Sequence, residues 1–278
     1  DFNSLEAATI HFELDGANYL KDNILKFGLF DGQHYVVVNA EQLTQNQSLI
    51  AWLEDDKTEK IVYDAKKSYV VAHRLGISIK HIVFDVMLAS YIIDPSRTID
   101  DVNSVVANYG QHYVQSSVAI YGKGKKKHVP ADDVLNPYVG SIINAISQVK
   151  PKIQQQLDEY NQTDLLYDLE LPLAQILSEM EETGIYTEIS ELQQMETEIQ
   201  SKLDVLIDNI YDAAGEKFNI NSPKQLGVVL FETLKLPVIK KTKTGYSTAV
   251  DVLEQLQGEH PIIELSLIHI SEPTRRTP

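Results

Sequence analysis

Apolar and polar positions along the chain follow two regimes. "AATIHFEL" (7–14), "ILKFGLF" (24–30) and "HYVVVNA" (34–40) are short runs rich in Ile, Val, Phe and Tyr, with the length and composition of strands. Asp31-Gly32 separates the last two. Gly takes positive φ freely, so a tight hairpin is predicted there and the three strands should be antiparallel. "KIVYD" (60–64) predicts a fourth strand, leading into an amphipathic helix to about Arg74 that Gly76 ends. "HIVFD" (81–85) predicts a fifth strand, then a helix with Met87, Leu88, Tyr91 and Ile92 on one face. "DDVNSVVANY" (100–109) reads as a short capped helix over this core. Antiparallel strands followed by β-α-β-α imply a mixed sheet flanked by helices.

From about Pro130 the strand signal disappears. Helices are predicted over 131–158, broken or bent near Pro137 and Pro151, and over 163–182, ended by Gly184. Between 189 and 213, Leu192, Met195, Ile199, Leu203, Leu206 and Ile210 recur at spacings of three and four, one apolar stripe on a long helix. A neighbouring helix of the same chain should cover it. "NSPKQL" places Ser222 as N-cap, Pro223 at N1 and Gln225 at N3, so a capping box should open a helix running to about Leu234. A lysine- and hydroxyl-rich turn follows, and a second capped helix should start near Thr248. These regimes set a domain boundary near residue 160.

Composition narrows the classes. With 43% apolar and 23% charged residues over 278 positions, the chain is globular and long enough for two domains. It has no cysteine, which excludes disulfides and thiolate metal sites and suits a reducing compartment. No apolar run approaches the roughly 20 residues of a membrane span, and there is no basic-then-apolar leader, so a cytoplasmic protein is expected. A formal net charge of −16 weakens nucleic-acid binding by the surface as a whole. Screening confines surface charges to about 10 Å at 0.1 M salt, so a local basic feature can still bind. The eight His lack metal-ligand spacing, and no Gly-rich phosphate loop or Ser nucleophile motif occurs. Trp52 reads as a packing residue. There is no initiating Met, and "LSLIHISEPTRRTP" (265–278) lacks a period continuing the preceding helix. That run resembles the translation of a transposon-end sequencing adapter. A non-native tail over 265–278 on a piece of a longer protein is expected.

The string "KFNINSPKQLGVVLFETLKLPVIKKTKTGYSTAVDVLEQL" (217–256) resembles the bacterial DNA polymerase I family, the family A DNA polymerases. "LELPLAQILSEMEETGI" (169–185) resembles the entry into its polymerase domain. "FDVMLASYIIDPS" (84–96) and "YGKGKKK" (121–127) resemble its 3′–5′ exonuclease-type domain. The resemblance implies an α/β ribonuclease H-like domain over 1–160 and an all-helical region over 161–264 that includes the thumb. It implies a template-directed polymerase of DNA replication and repair, a monomer associated with the nucleoid. It also implies Mg²⁺ for the full-length enzyme, with no cofactor in this stretch, since the palm carboxylates and fingers follow the thumb. This stretch itself should not polymerise.

In that family the thumb lies along the minor groove of the primer–template duplex. The resemblance places DNA contacts at Asn219, Asn221, Ser222, Lys224, Gln225, Lys240, Lys241, Thr242, Lys243, Thr244, Gly245, Tyr246 and Ser247. The residue types suit the task. Lysines neutralise phosphates without reading sequence, hydroxyls and backbone N–H groups hydrogen-bond phosphate oxygens, and Gly245 allows close backbone approach. Composition alone favours a solvated lysine loop, and the full string reverses that. "GKGKKKH" (Gly122–His128) is a second basic cluster, read as an exposed flexible loop or as a contact for single-stranded DNA.

Two-metal phosphodiester hydrolysis needs carboxylates converging on two divalent cations about 4 Å apart. Active members supply an Asp-x-Glu on the first strand, an Asp early in the second motif's helix and a Tyr-x-x-x-Asp late. Here "FELD" offers Glu13 and Asp15 with the types exchanged, or as ordinary solvated strand-end residues. Counting back from "LGI" puts Ser68 at the second position, with Asp64 four residues earlier. Tyr138 is followed by Ile142 where the last carboxylate belongs. The expectation is a degenerate exonuclease domain retained as scaffold. Two other readings stand beside it. One is a working exonuclease with rearranged Glu13, Asp15 and Asp64; the other is an acidic interaction protein pairing through the 189–213 helix.

Overall fold

The computed structural model describes residues 2–109, 114–242 and 245–271. The chain forms two compact units, Asp1–Ile185 and Tyr186–Pro278. The first is built on a five-stranded sheet comprising β1 (Ala7–Leu14), β2 (Ile24–Phe30), β3 (Tyr35–Val38), β4 (Glu59–Val62) and β5 (Ile82–Asp85). Their order is β3-β2-β1-β4-β5, with β1 antiparallel to β2 and parallel to β4, the mixed sheet that the pattern predicts. The Asp31-Gly32 turn forms as read. The Asp31 carboxylate accepts the Gln33 and His34 N–H groups at 2.8 and 2.7 Å, and Gly32 takes φ +98°.

Helices α1 (Ala40–Gln45) and α2 (Gln47–Glu54) fill a stretch for which no element is predicted. Asn39 and Asn46 cap them, and Asn39 forms a capping box with Gln42. They are too short for a period to show. Trp52 on α2 is 4% exposed and donates its indole N–H to the Leu5 carbonyl, a packing residue as read. Then come α3 (Ala65–Arg74), α4 (Val86–Ile93), α5 (Val102–Tyr109), α6 (Ser117–Tyr121), α7 (Asp132–Glu159) and α8 (Leu171–Thr183).

Three expectations need correction here. On α4 the buried side chains are Val86, Ala89, Ser90 and Ile92, whereas Tyr91 is exposed and Met87 and Leu88 are half-buried. The expected face weighted the largest side chains, but α4 packs against α7, where small residues suit a close helix pair. Next, α7 runs unbroken through Pro137 and Pro151. Each proline costs about 3 kcal/mol in a helix interior. Ten buried positions, from Leu135 to Leu157, hold α7 against the rest of the unit. Last, α8 belongs to the first unit. It buries Leu171, Ala174 and Ser178, and its Glu181 accepts Lys66 Nζ of α3 and the Tyr19 hydroxyl, both at 2.6 Å. The contact boundary therefore falls after Ile185, past the end of the strand signal near residue 160.

Lys60 on β4 is 0% exposed. Its ammonium donates to the Asp55 carbonyl at 2.6 Å and the Thr58 hydroxyl at 2.7 Å, and sits 5.0 Å from the Trp52 ring centroid. Among the described residues no carboxylate bonds it, and burial lowers its pKa to about 8. A folded-state value below the unfolded one means that unfolding takes up a proton between these values. Stability relative to Lys60→Met should therefore rise as pH increases from about 8 to 10.5. Urea midpoints of the two proteins across that window check the sign.

The second unit holds α9 (Ile189–Ala214), α10 (Pro223–Val228) continued by a π-helical turn over Val229–Thr233, a hairpin of β6 (Lys241–Thr242) and β7 (Gly245–Tyr246), α11 (Val250–Glu254) and α12 (Pro261–Ser271). Its core gathers Ile210, Leu226, Leu230, Phe231, Leu253, Leu256, Ile262 and Ile263. The α9 stripe is covered only at its C-terminal end. Ile210 is buried, Ile199, Leu203 and Leu206 are half-buried, and Leu192 and Met195 are exposed. Ser222 caps α10 with Pro223 at N1, but the capping box does not close. Gln225 N–H donates to Ser222 Oγ at 3.4 Å, while the Gln225 side chain accepts from Asn219 N–H instead. The N-cap of α11 is Ala249, which has no side-chain bond to offer, rather than Thr248. Helix α12 runs through Leu265–Ser271, so the helix does continue into the run read as a tail. Its inward positions include Ser266 and His269, polar residues that hide the period, and Ser266 Oγ and His269 Nδ1 have no hydrogen-bond partner among the described residues. The remaining tail residues, 272–278, lie outside the described residues.

Candidate nucleic-acid interface and the nuclease-like cleft

The α7 face of the sheet carries the first set of candidate residues. β1 places His11 opposite Gly28 and Glu13 opposite Lys26. A Cβ at Gly28 would lie 2.7 Å from Val139 Cγ1, so the glycine lets α7 approach closely. Glu13 is 8% exposed, not a solvated strand-end residue. Both its oxygens are engaged: Tyr121 of α6 donates to one at 2.6 Å, and His11 Nε2 lies 2.8 Å from the other. Burial lowers the His11 pKa, opposed by the Glu13 carboxylate beside it. Burial opposes the Glu13 charge, yet the His11 and Tyr121 hydrogen bonds and nearby Lys67 hold it below the usual carboxylate range. Tyr138 of α7 meets Tyr121 edge-on at 6.3 Å, and both phenols are pushed up by burial and the Glu13 charge.

The other positions do not join this group. Asp15 accepts both the Asn23 N–H and its Nδ2, at 2.9 and 2.7 Å. Asp64 caps α3 through Lys67 N–H at 2.9 Å, and burial raises its pKa. Ser68 is buried and donates to the Asp64 carbonyl at 2.7 Å. Ile142 is 4% exposed within the main core. Among the described residues, no three or more His, Asp or Glu side chains form a group able to hold a metal. The Glu13 oxygens are committed, and an alkyl side chain occupies the late position. These residues do not fit a two-cation site.

Sequence reasoning missed Tyr121 and His11 as partners of Glu13, and it missed Asp85. Asp85 is 0% exposed, accepts Ala65, Met87 and Leu88 N–H groups at 2.7, 2.8 and 3.2 Å, and so ties the starts of α3 and α4 together. Burial pushes it up to about 7 against those donors. An Asp directly before a helix is an N-cap signal and could have been read from "FDVMLA".

The second set converges in the second unit. Ser222, Lys224, Thr242, Gly245, Tyr246 and Ser247 line one open concavity of about 790 Å³, together with Pro223, Val228, Glu232, Thr248 and Ala249. Lys240 and Lys241 are exposed on the adjoining hairpin. Asn219, Asn221 and Gln225 stand apart, engaged in shaping the turn before α10. Asn221 N–H donates to Asn219 Oδ1 at 3.1 Å, Asn219 N–H to Gln225 Oε1 at 2.8 Å, and Asn221 Oδ1 lies 3.3 Å from His269 Nε2. Lys243 and Thr244 lie outside the described residues. In the first unit, the Gly122–His128 cluster forms a short 3₁₀ turn over Gly124–Lys126, with Lys123, Lys125, Lys126 and Lys127 all exposed. No helix among the described residues is long and apolar enough to cross a membrane.

Comparison with known proteins bears on both units. A family model described as DNA polymerase I, ribonuclease H-like domain, matches residues 10–149, and one described as DNA polymerase family A matches 189–272. DNA polymerase I of Bacillus subtilis is 43% identical over 252 residues, covering 91% of this chain and 29% of its own length. That of Geobacillus stearothermophilus is 39% identical over 259 residues, covering 93% and 30%. The chain thus spans under a third of these relatives. Among solved structures, the POL domain of Pol1 from M. smegmatis in complex with DNA primer-template and dNTP superposes with a TM-score of 0.68 at 24% identity. It covers 95% of this chain and 43% of that one, a likeness of fold. The ribonuclease H-like unit and the family A region together show that this chain belongs to the DNA polymerase I family.

Proposed function

We propose that this chain gives a template-directed DNA polymerase of replication and repair two parts: a nuclease-like domain kept as scaffold, and a thumb that grips primer–template duplex. The observation that carries the reading is the convergence of Ser222, Lys224, Thr242, Gly245 and Ser247 on one concavity flanked by Lys240 and Lys241. A concave surface with hydroxyls and lysines suits a phosphate backbone, and the local charge acts within a Debye length although the whole chain is at −16. The M. smegmatis Pol1 structure, which holds primer-template, supports the same partner. Mg²⁺ serves the palm of the parent enzyme, and neither unit of this chain is assigned a cation. The protein acts as a monomer in the cytoplasm, at the nucleoid, with single-stranded DNA a lesser partner of the Gly122–His128 turn.

Primer–template binding followed by anisotropy tests this. Each phosphate contact contributes about 0.9 to the slope of log K against log salt, or roughly tenfold in affinity near 0.1 M. Changing Lys224, Lys240 and Lys241 to Ala should weaken binding by up to roughly a thousandfold there, about tenfold for each lysine. Unchanged affinity in that variant would contradict the grip. In parallel, 3′-labelled single strands with Mg²⁺ or Mn²⁺ should remain full length, as with a Glu13→Ala/Asp15→Ala control. Shortening that the control abolishes would establish a working nuclease instead.

A further inference from the structure

The hairpin that presents Lys240, Lys241 and Thr242 has little of its own to hold it. Its strands are two residues long and those three side chains are exposed, and so short a ribbon is not stable by itself. Tyr246 is the element that joins it to the body. Its ring packs on Phe231 with centroids 5.0 Å apart, and Lys241 Nζ lies 5.8 Å over the same ring. Desolvation and the Glu232 carboxylate raise the pKa of its phenol. On α10 below, Gly227 leaves the necessary space: a Cβ there would stand 3.3 Å from Tyr246 Cβ and 3.6 Å from Thr248 Cγ2. The hairpin is then closed by Ser247 N–H to the Lys240 carbonyl at 3.0 Å and Thr242 Oγ1 to the Gly245 carbonyl at 3.1 Å.

We infer that Tyr246 is a positioning residue rather than a DNA contact: it clamps the hairpin onto α10 through Phe231 and Gly227, so that Lys241, Thr242 and Ser247 address the same groove as Ser222 and Lys224. The inference rests on the duplex reading above and refines the place of Tyr246 within it. The negative charge of Glu232, felt at the Tyr246 hydroxyl, disfavours a phosphate at that point. The ring face is occupied by Phe231 and by the lysine it orients. What remains for the side chain is to fix the register of the groups around it.

The test uses the full chain with Tyr246→Phe, Tyr246→Ala and Gly227→Ala. Duplex affinity is measured across a salt series, and amide exchange of the hairpin is measured without DNA. Tyr246→Phe should keep affinity within about twofold, because ring and packing remain. Tyr246→Ala should weaken binding roughly tenfold and lower the salt slope by about one phosphate contact, with faster exchange of the Ser247 amide. Gly227→Ala, with Tyr246 intact, should shift the hairpin signals from the opposite side and weaken binding in the same direction. A general loss of stability in a still-folded protein leaves the salt slope alone, so that slope separates positioning from mere packing. Equal losses in Tyr246→Phe and Tyr246→Ala would make the hydroxyl a direct contact and overturn the inference. An unchanged slope and unchanged Ser247 protection in Tyr246→Ala would overturn it too. If the wild-type chain binds no duplex, the duplex reading falls, and the exchange data alone decide whether the clamp exists.

Discussion

Replacing Ile142 by Asp is expected to cost the first unit roughly 4 kcal/mol or more and to restore no nuclease activity. The family resemblance puts the late carboxylate of active members at this position, so the substitution superficially repairs the expected motif. Here Ile142 is 4% exposed and packed in the main core. An aspartate there loses the apolar contacts of the isoleucine and buries a charge among apolar core side chains. Trp52 is the only tryptophan and lies in this unit, so its fluorescence reports the unit's urea unfolding directly. With a slope of about 2 kcal/mol per molar urea, the midpoint should fall by roughly 2 M. Ile142→Val, which keeps the site apolar, should cost about 1 kcal/mol. An Ile142→Asp protein that kept its midpoint and shortened 3′-labelled strands with Mg²⁺ would show that the domain is only one residue from function.

The second large effect is expected at Asp85. Its carboxylate satisfies three backbone N–H groups at the starts of α3 and α4 while being 0% exposed. Asp85→Ala leaves those donors buried without an acceptor and removes an N-cap, a loss of roughly 3 kcal/mol. Asp85→Asn retains one acceptor oxygen and should lose about half as much. Thermal unfolding followed by circular dichroism, alongside Trp52 fluorescence, gives both values. If alanine and asparagine cost the same small amount, the two helix starts are held by packing and the hydrogen bonds are incidental.

The strands were legible because their β-branched and aromatic runs are short and bounded by turn residues; β1 and β2 fall where the pattern puts them. The lysine-rich turn was legible by contrast with an acidic chain, and most of its described hydroxyl neighbours do line one groove. The failures have physical causes. α7 persists through two prolines because its buried stripe outweighs local propensity, and propensity is a weak prior against tertiary packing. α12 escaped because Ser266 and His269 occupy inward positions where a period reads apolar residues. The unit boundary depends on α8 docking through Glu181 to Lys66 and Tyr19, contacts that span 115 and 162 residues. The state of Glu13 likewise depends on Tyr121, 108 positions away. Local spacing carries no information about partners at that distance, whereas the inability of Ile142 to ligate a metal is visible from the residue itself.

The central claim is that the α10 start and the hairpin of the second unit form the surface on which duplex DNA lies. Hydrogen–deuterium exchange of the full chain, with and without a primer–template duplex at low salt, tests it most directly. The account predicts slowed exchange over 219–225 and 240–247, lost on raising salt, with little change in the strands of the first unit. Protection confined to the Gly122–His128 turn, or none in the second unit at duplex concentrations that saturate binding, would contradict it.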